Sequence, residues 1–298
     1  LSPTRGRLAT AAWWLLGYTV LVILWGAFVR ATGAGAGCGS HWPLCNGEVI
    51  PRAPALDTWI ELVHRLSSGL LGILVVVYTA LSLRAFPARH LAVKGAFWST
   101  FFVLAEALIG AGLVRFEWVA DDVSEERVYV MALHLVNTFL LLGAMTLTAW
   151  AARGDGSLAL RGRHRVVPLA AALLALVAVG ASGAVTALGD TLVLGAGISP
   201  EESPVVARLV ASRFYHPTIA VASFFAVLGA ILWLRPRAAS PERRSATAVL
   251  ALFGLQLLVG VINVLLKAPV ILQIAHLLLA DLLWIAAVLY AAETLRRG

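Results

Sequence analysis

The sequence predicts an all-α integral membrane protein. Its eight transmembrane helices are expected to form two pseudo-symmetric four-helix bundles, with both termini cytoplasmic. Three observations carry this. Of 298 residues, 60% are hydrophobic and only 13% charged, where soluble domains average about 45–50% and about 25%. Eight apolar runs are each long enough to cross a bilayer, which takes about 20 residues. The basic residues gather at alternate ends of those runs.

In order, the runs cover 8–30, 59–84, 91–115, 128–152, 164–187, 206–234, 244–266 and 269–295. The first has no small-residue cleavage site behind a short apolar core, so it reads as a span and not as a leader. The second opens on "TWIELVHRLSSG" (58–69), the third carries one acid, Glu106, and the fourth and sixth each hold a single histidine. The seventh carries Gln256, and the eighth holds His276 and Asp281. Connections are short except for 31–58, 116–127 and 188–205, which share one side if the runs alternate. Arg5, Arg7, Arg84, Arg89, Lys94, Arg153, Arg161, Arg163, Arg165, Arg235, Arg237, Arg243, Arg244, Arg296 and Arg297 fall on the other side, with the termini. By the positive-inside rule that side is cytoplasmic and the long loops face out.

The net charge of +7 does not point to nucleic acid. The cations punctuate run ends; they do not form one patch with interleaved aromatics. The partner they imply is the lipid bilayer. No Arg- and Ser-rich transit segment is seen, so a prokaryotic plasma membrane is expected.

A faint internal repeat relates "EALIGAGLVR" (106–115) to "QLLVGVINVL" (256–265), and "WGAFVRATG" (25–33) to "SGAVTALGD" (182–190). The offset, about 150 residues, is half the chain. The expected division is 1–152, a polar Gly- and Arg-rich linker at 153–163, and 164–298.

Seven histidines are present. His41, His90 and His164 fall in loops or at helix ends and read as solvated polar residues. His64, His134, His216 and His276 fall one to each even-numbered run. Each sits six to ten residues past the outer end, a depth of about 10–15 Å at the helical rise. Ionisable groups at that depth are costly and mark function. Paired imidazoles on facing helices of a bundle hold cofactors. Two pairs in two bundles suit two haems, each iron with an axial histidine on either side, better than a four-ligand zinc cage. Arg65, Arg213, Arg30, Arg115 and Lys267 lie near the outer ends, where propionates need cations. Interfacial snorkelling accounts for each of them equally well.

The halves differ in chemistry. Three residues before His64 stands Glu61; three before His216 stands Arg213. Glu61 reads as a proton-handling catalytic group. The competing reading is an acid favoured at a helix N-terminus by the dipole. Glu106 and Gln256 occupy matching repeat positions, which suggests helix packing. Asp281 is either a proton relay or a paired structural acid. Cys38 and Cys45, the only cysteines, lie in the outer loop "GAGAGCGSHWPLCNG". An oxidising compartment makes a disulfide expected there. It serves as a redox-active pair or as a simple staple.

"VRATGAGAGCGSHWPLCNGEVIP", then "ELVHR", then single histidines in runs four, six and eight, resemble the haem A synthase family over essentially the whole chain. The resemblance implies oxidation of a methyl group of haem O to the formyl group of haem A. His64 and His134 would hold the substrate haem, and His216 and His276 a resident haem b. Glu61 matches the family's important acid, and Cys38 and Cys45 its outer-loop pair. The second outer cysteine pair of some members is missing here. Implied partners are a haem O-forming prenyltransferase as donor, an electron donor the sequence does not name, and an oxidase that accepts haem A. The rivals are a bis-histidine cytochrome b working with quinone, and a haem transporter. A prenyltransferase would need Asp-rich diphosphate motifs in its cytoplasmic loops, and the sequence has none.

Overall fold

A computed structural model describes residues 3–154, 156–159 and 162–296. Arg161 and Arg297, two cations assigned above to the cytoplasmic side, lie outside the described residues, as does part of the linker. The helices are α1 (Pro3–Ala31), α2 (Leu56–Ala85), α3 (Leu91–Arg115), α4 (Glu125–Ala152), α5 (Arg163–Asp190), α6 (Pro204–Ala211), α7 (Tyr215–Leu234), α8 (Pro241–Leu265) and α9 (Val270–Thr294). Among the described residues eight segments are long and apolar enough to cross a membrane, the sixth being α6 and α7 together. Among the described residues there is no strand, only isolated bridges at Cys45–Glu48 and Leu158–Arg296.

Helices α1, α2, α4 and α8 start three or more residues before their apolar runs, because polar caps and charged or polar first turns carry little hydropathy. The Ser124 hydroxyl accepts from Arg127 N–H at the head of α4. Ser203 and Ser240 do the same for Val206 and Arg243. Such a cap satisfies a donor that the helix leaves orphaned. His90, expected to be a solvated residue, caps α3 through its ring and stacks on Phe86 at 4.8 Å.

The sixth span is not one helix, as the apolar run suggested. After α6 the backbone tightens into a 3₁₀ turn, Ser212–Phe214, before α7 begins. Pro217 explains the break. It has no N–H for the Arg213 carbonyl, and its ring would clash with that carbonyl in a continuous helix; in the first turn of a new helix it is tolerated. His216 therefore stands at the start of α7, and Arg213 lies in the turn. The fifth span is longer than expected, running on through a wider π turn, Thr191–Gly195.

Helices α1, α2, α3 and α4 pack each on the next, with α4 closing on α1. Helices α5, α7, α8 and α9 do likewise. The seam between these groups is made by α4 against α5 and α9, and by α1 against α9. It is fastened at three depths. At the loop-bearing end, Arg30 of α1 donates to the Ala187 carbonyl at 2.8 Å and to Gln273 of α9 at 2.9 Å, and also meets Thr191. Midway, the rings of Phe139 (α4) and Trp284 (α9) stack at 5.0 Å, and Trp284 N–H donates to the Phe139 carbonyl. At the terminal end, Trp150 N–H donates to Glu293 at 2.8 Å. The linker joins this end, where Ala159 N–H donates to the Leu295 carbonyl at 2.6 Å.

Helix α3 lies tightly on α4. A Cβ at Gly95 would collide with the Thr148 hydroxyl and stand 3.1 Å from the Ala144 carbonyl oxygen, which is backbone and cannot turn aside. Gly95→Ala is expected to cost about 1–3 kcal/mol, the usual range for overpacking. A thermal melt of the detergent-solubilised protein checks it; an unchanged midpoint would show that α3 and α4 do not meet this closely.

Candidate functional site

Three of the four intramembrane imidazoles lie against a glycine of a neighbouring helix. The His64 ring (α2) covers Gly26 of α1, where a Cβ would come within 2.8 Å of Cε1. His216 (α7) covers Gly183 of α5 at 3.0 Å, and His276 (α9) covers Gly260 of α8 at 3.1 Å. Gly26 and Gly183 are the matching glycines of the "WGAFVRATG" and "SGAVTALGD" echo. A hydrogen in place of a side chain is what lets each ring occupy the space between two helices.

His134 (α4) is held differently. Its Nδ1 lies 2.6 Å from the Glu106 carboxylate of α3, and the Thr138 hydroxyl meets the other Glu106 oxygen. A carboxylate accepts, so Nδ1 carries the proton and Nε2 keeps its lone pair. His216 has a weaker version of this. The Ser182 hydroxyl donates to the Val179 carbonyl at 2.9 Å and faces His216 Nδ1 at 3.0 Å, so it can accept the Nδ1 proton. By contrast, the Nδ1 atoms of His64 and His276 are buried and have no hydrogen-bond partner among the described residues.

Glu106 and Gln256 are thus histidine partners, where the sequence suggested helix packing. Gln256 meets Nε2 of His276 at 3.2 Å, so this amide has to yield before Nε2 can reach an iron. The signal was in the sequence: two polar side chains at one repeat position, each on the helix preceding a histidine-bearing one.

These residues fit haem. The His216 and His276 ring centroids are 6.4 Å apart with planes at 84°. Two imidazoles on opposite sides of one metal ion need about 6.3 Å, taking metal–nitrogen bonds of about 2.0–2.1 Å. The donors are histidines, two in each helix group, and three of the four rings lie in glycine cradles. Among the described residues no group of three or more His, Cys, Asp or Glu side chains converges as a metal cage would require. His64 and His134 stand on α2 and α4, in the first helix group.

Glu61 and Arg65 face the loop between α1 and α2. Glu61 is buried; one carboxylate oxygen accepts from Cys38 N–H at 2.8 Å and the other from Arg65 Nε at 3.0 Å. Arg65 goes on to donate to the carbonyls of His41 at 2.8 Å and Leu44 at 2.6 Å. Cys38 and Cys45 are joined in a disulfide, so the ion pair grips the ring this bond closes. Gly37, beside it, is pressed on the first turn of α2: a Cβ there would lie 2.5 Å from the Asp57 carbonyl. The guanidinium read as a propionate contact is therefore committed to Glu61 and the loop. Arg213 pairs with Asp190 at 2.8 Å, and Arg30 is spent on the seam. Arg115 and Lys267 are exposed. Asp281 is fully buried, and neither of its oxygens has a hydrogen-bond partner among the described residues, so it is not a paired acid.

Residues 9–288 match the family described as "Cytochrome oxidase assembly protein". The chain belongs to this family. Among curated relatives, a Thermus thermophilus protein named "Protoheme IX farnesyltransferase" is 50% identical over 100% of the chain and 50% of its own length. "Heme A synthase" of Alkalihalophilus pseudofirmus is 35% identical over 46% of the chain and 43% of its own length. That of Exiguobacterium sibiricum is 39% identical over 39% of the chain and 36% of its own length. The chain spans about half the length of the Thermus relative, or less of the others. The haem A synthase resemblance read from the loop and histidine motifs is thereby shown at the level of family.

Removing Glu61 leaves Arg65 buried without its counter-ion and Cys38 N–H without an acceptor. Breaking a buried pair from one side costs about 3–5 kcal/mol. Glu61→Ala is expected to lower the melting temperature and to open the loop between α1 and α2 to limited proteolysis. Wild-type protection of that loop would show that the ion pair does not hold it.

Proposed function

We propose that the chain converts haem O to haem A, oxidising one porphyrin methyl group to a formyl group by two successive hydroxylations and loss of water from the geminal diol. The observation that carries this is the set of four half-buried histidines, two in each helix group, within a chain of this family. His64 and His134 would ligate the substrate. His216 and His276 would ligate a resident haem b, which when bound supplies one-electron transfer. The 6.4 Å spacing of the second pair supports that assignment.

In this reading the chain is two pseudo-symmetric bundles, 1–152 and 164–298, joined by the 153–163 linker. It lies in a prokaryotic plasma membrane with its termini inside and both sites toward the outer face. The surplus of cations at the terminal end supports this orientation. Glu61 stands one helical turn from His64 on the outer side. Its carboxylate is the acid nearest in sequence to the substrate ligands on that face, and we assign it the handling of protons there. Arg65 and Arg213 reach substrate or cofactor propionates only by sharing with Glu61 and Asp190, their present partners.

The name of the Thermus relative belongs to a protein twice the length matched here, so it favours a partnership and not a prenyltransferase activity in this chain. The haem O donor is proposed to be a prenyltransferase, and the product acceptor an oxidase.

The test is extraction and chromatography of the haems from purified protein. Haem B together with haem O or haem A is the expected result, and haem B alone in two equivalents would favour an electron carrier. Glu61→Gln, which preserves size but can accept only one of the two hydrogen bonds that Glu61 takes from Cys38 and Arg65, is expected to retain both haems and to lose haem A formation. A normal haem A yield from that variant would remove Glu61 from the chemistry.

A further inference from the structure

Two axial histidines fill both faces of an iron, leaving no position for a small ligand. The first pair is not symmetric, however. His134 is anchored: Nδ1 bonds to Glu106 at 2.6 Å, and Glu106 is itself held by Thr138. His64 has no such anchor among the described residues. Its Nδ1 is buried and unpartnered, because the repeat position that carries Ser182 opposite His216 carries Trp25 opposite His64. Trp25 turns its N–H to the Ile60 carbonyl at 2.9 Å instead. Behind the His64 ring lies Gly26, which offers it no side chain.

We propose that the two ligands of the first site are unequal: His134, positioned by Glu106, stays on the substrate iron, and His64 is the ligand that leaves. This rests on the haem O reading of that site. The bond that breaks is iron to Nε2 of His64; the bond kept is iron to Nε2 of His134. A carboxylate on Nδ1–H fixes the ring and makes Nε2 a stronger donor, and such partners are worth about 10–100-fold in metal affinity. No hydrogen bond to Nδ1 holds the His64 ring when its bond to iron is lost, and only its packing against Gly26 retains it. Glu106 is thus a positioning residue, and its repeat partner Gln256, a neutral amide, does not do the same for the second site. The asymmetry between a carboxylate in one half and an amide in the other marks the first half as the one with an exchangeable iron position.

The experiment uses full-length protein purified with its haems, and carbon monoxide as the probe of the reduced form. His64→Ala is expected to retain the first-site haem, to convert it to a high-spin form and to bind carbon monoxide. His134→Ala is expected to lose that haem. Glu106→Gln is expected to weaken first-site retention about 10–100-fold. In the His64→Ala background it should also lower the iron–histidine stretching frequency in resonance Raman spectra, a change that a purely structural role would not produce. The low-spin spectrum of the second haem reports on folding in every variant. Equal loss of haem from the two histidine variants, or an iron–histidine frequency indifferent to Glu106→Gln, would overturn the inequality. Chromatography on the same samples separates the two claims, since haem B in both sites overturns the haem O reading.

Discussion

An imidazole at lipid depth has no water to satisfy it, and that constraint shapes this molecule. A polar group left unpaired in an apolar medium costs several kcal/mol, and backbone groups there are already consumed within their helices. Each of the four histidines must find a side chain on another helix, lie in a recess where a ligand will complete it, or both. The helix contacts follow from this. Gly26, Gly183 and Gly260 let neighbouring helices come close enough to wall a ring. Glu106 and Ser182 reach across to anchor the histidines of α4 and α7. The Nδ1 atoms of His64 and His276 have no such anchor among the described residues.

The seam answers a different need. Two groups of helices must be held to one another, and lipid offers no hydrophobic drive to keep them together. Directional contacts hold them instead: Arg30 to α5 and α9 at one end, Trp284 on Phe139 midway, and Trp150 to Glu293 at the other end. Arg30 explains why a guanidinium can stand beside a site and not serve it. Its donors are spent on the Ala187 carbonyl, Thr191 and Gln273.

Hydropathy reads the number of spans because a bilayer imposes a minimum apolar length on every one of them. It does not read caps, so α2 and α4 begin at Leu56 and Glu125, each three residues before its apolar run. It does not see the break before α7 either, because Pro217 sits inside an otherwise apolar stretch; a proline shortly past the turn was the local signal. The role of Glu106 was legible by register. It stands nine residues before the end of α3, and His134 stands nine after the start of α4, so across a hairpin they meet at one depth. The commitment of Arg65 was legible too. Glu61 and Arg65 are four apart, the spacing of an ion pair on one helix face. What no pattern could show is that this pair reaches back over more than 20 residues of chain to grip the cysteine ring.

Repeats with matched scaffolds and unmatched side chains separate what holds a cofactor from what uses it. The scaffold here is shared: a glycine one helix away in the first position of each half, and a polar residue on the helix before the last histidine. The private substitutions, Trp25 for Ser182 and Glu106 for Gln256, both fall on the residues that touch imidazoles or stand opposite them. They act in opposite directions, since Trp25 withdraws a partner from His64 while Glu106 strengthens the hold on His134. In the second half the hydroxyl holds His216 and the amide meets the wrong nitrogen of His276 to reinforce it. Divergence at those positions, with the cradle glycines kept, changes how firmly each imidazole is held. Two imidazole sites of different firmness can therefore be built on one plan.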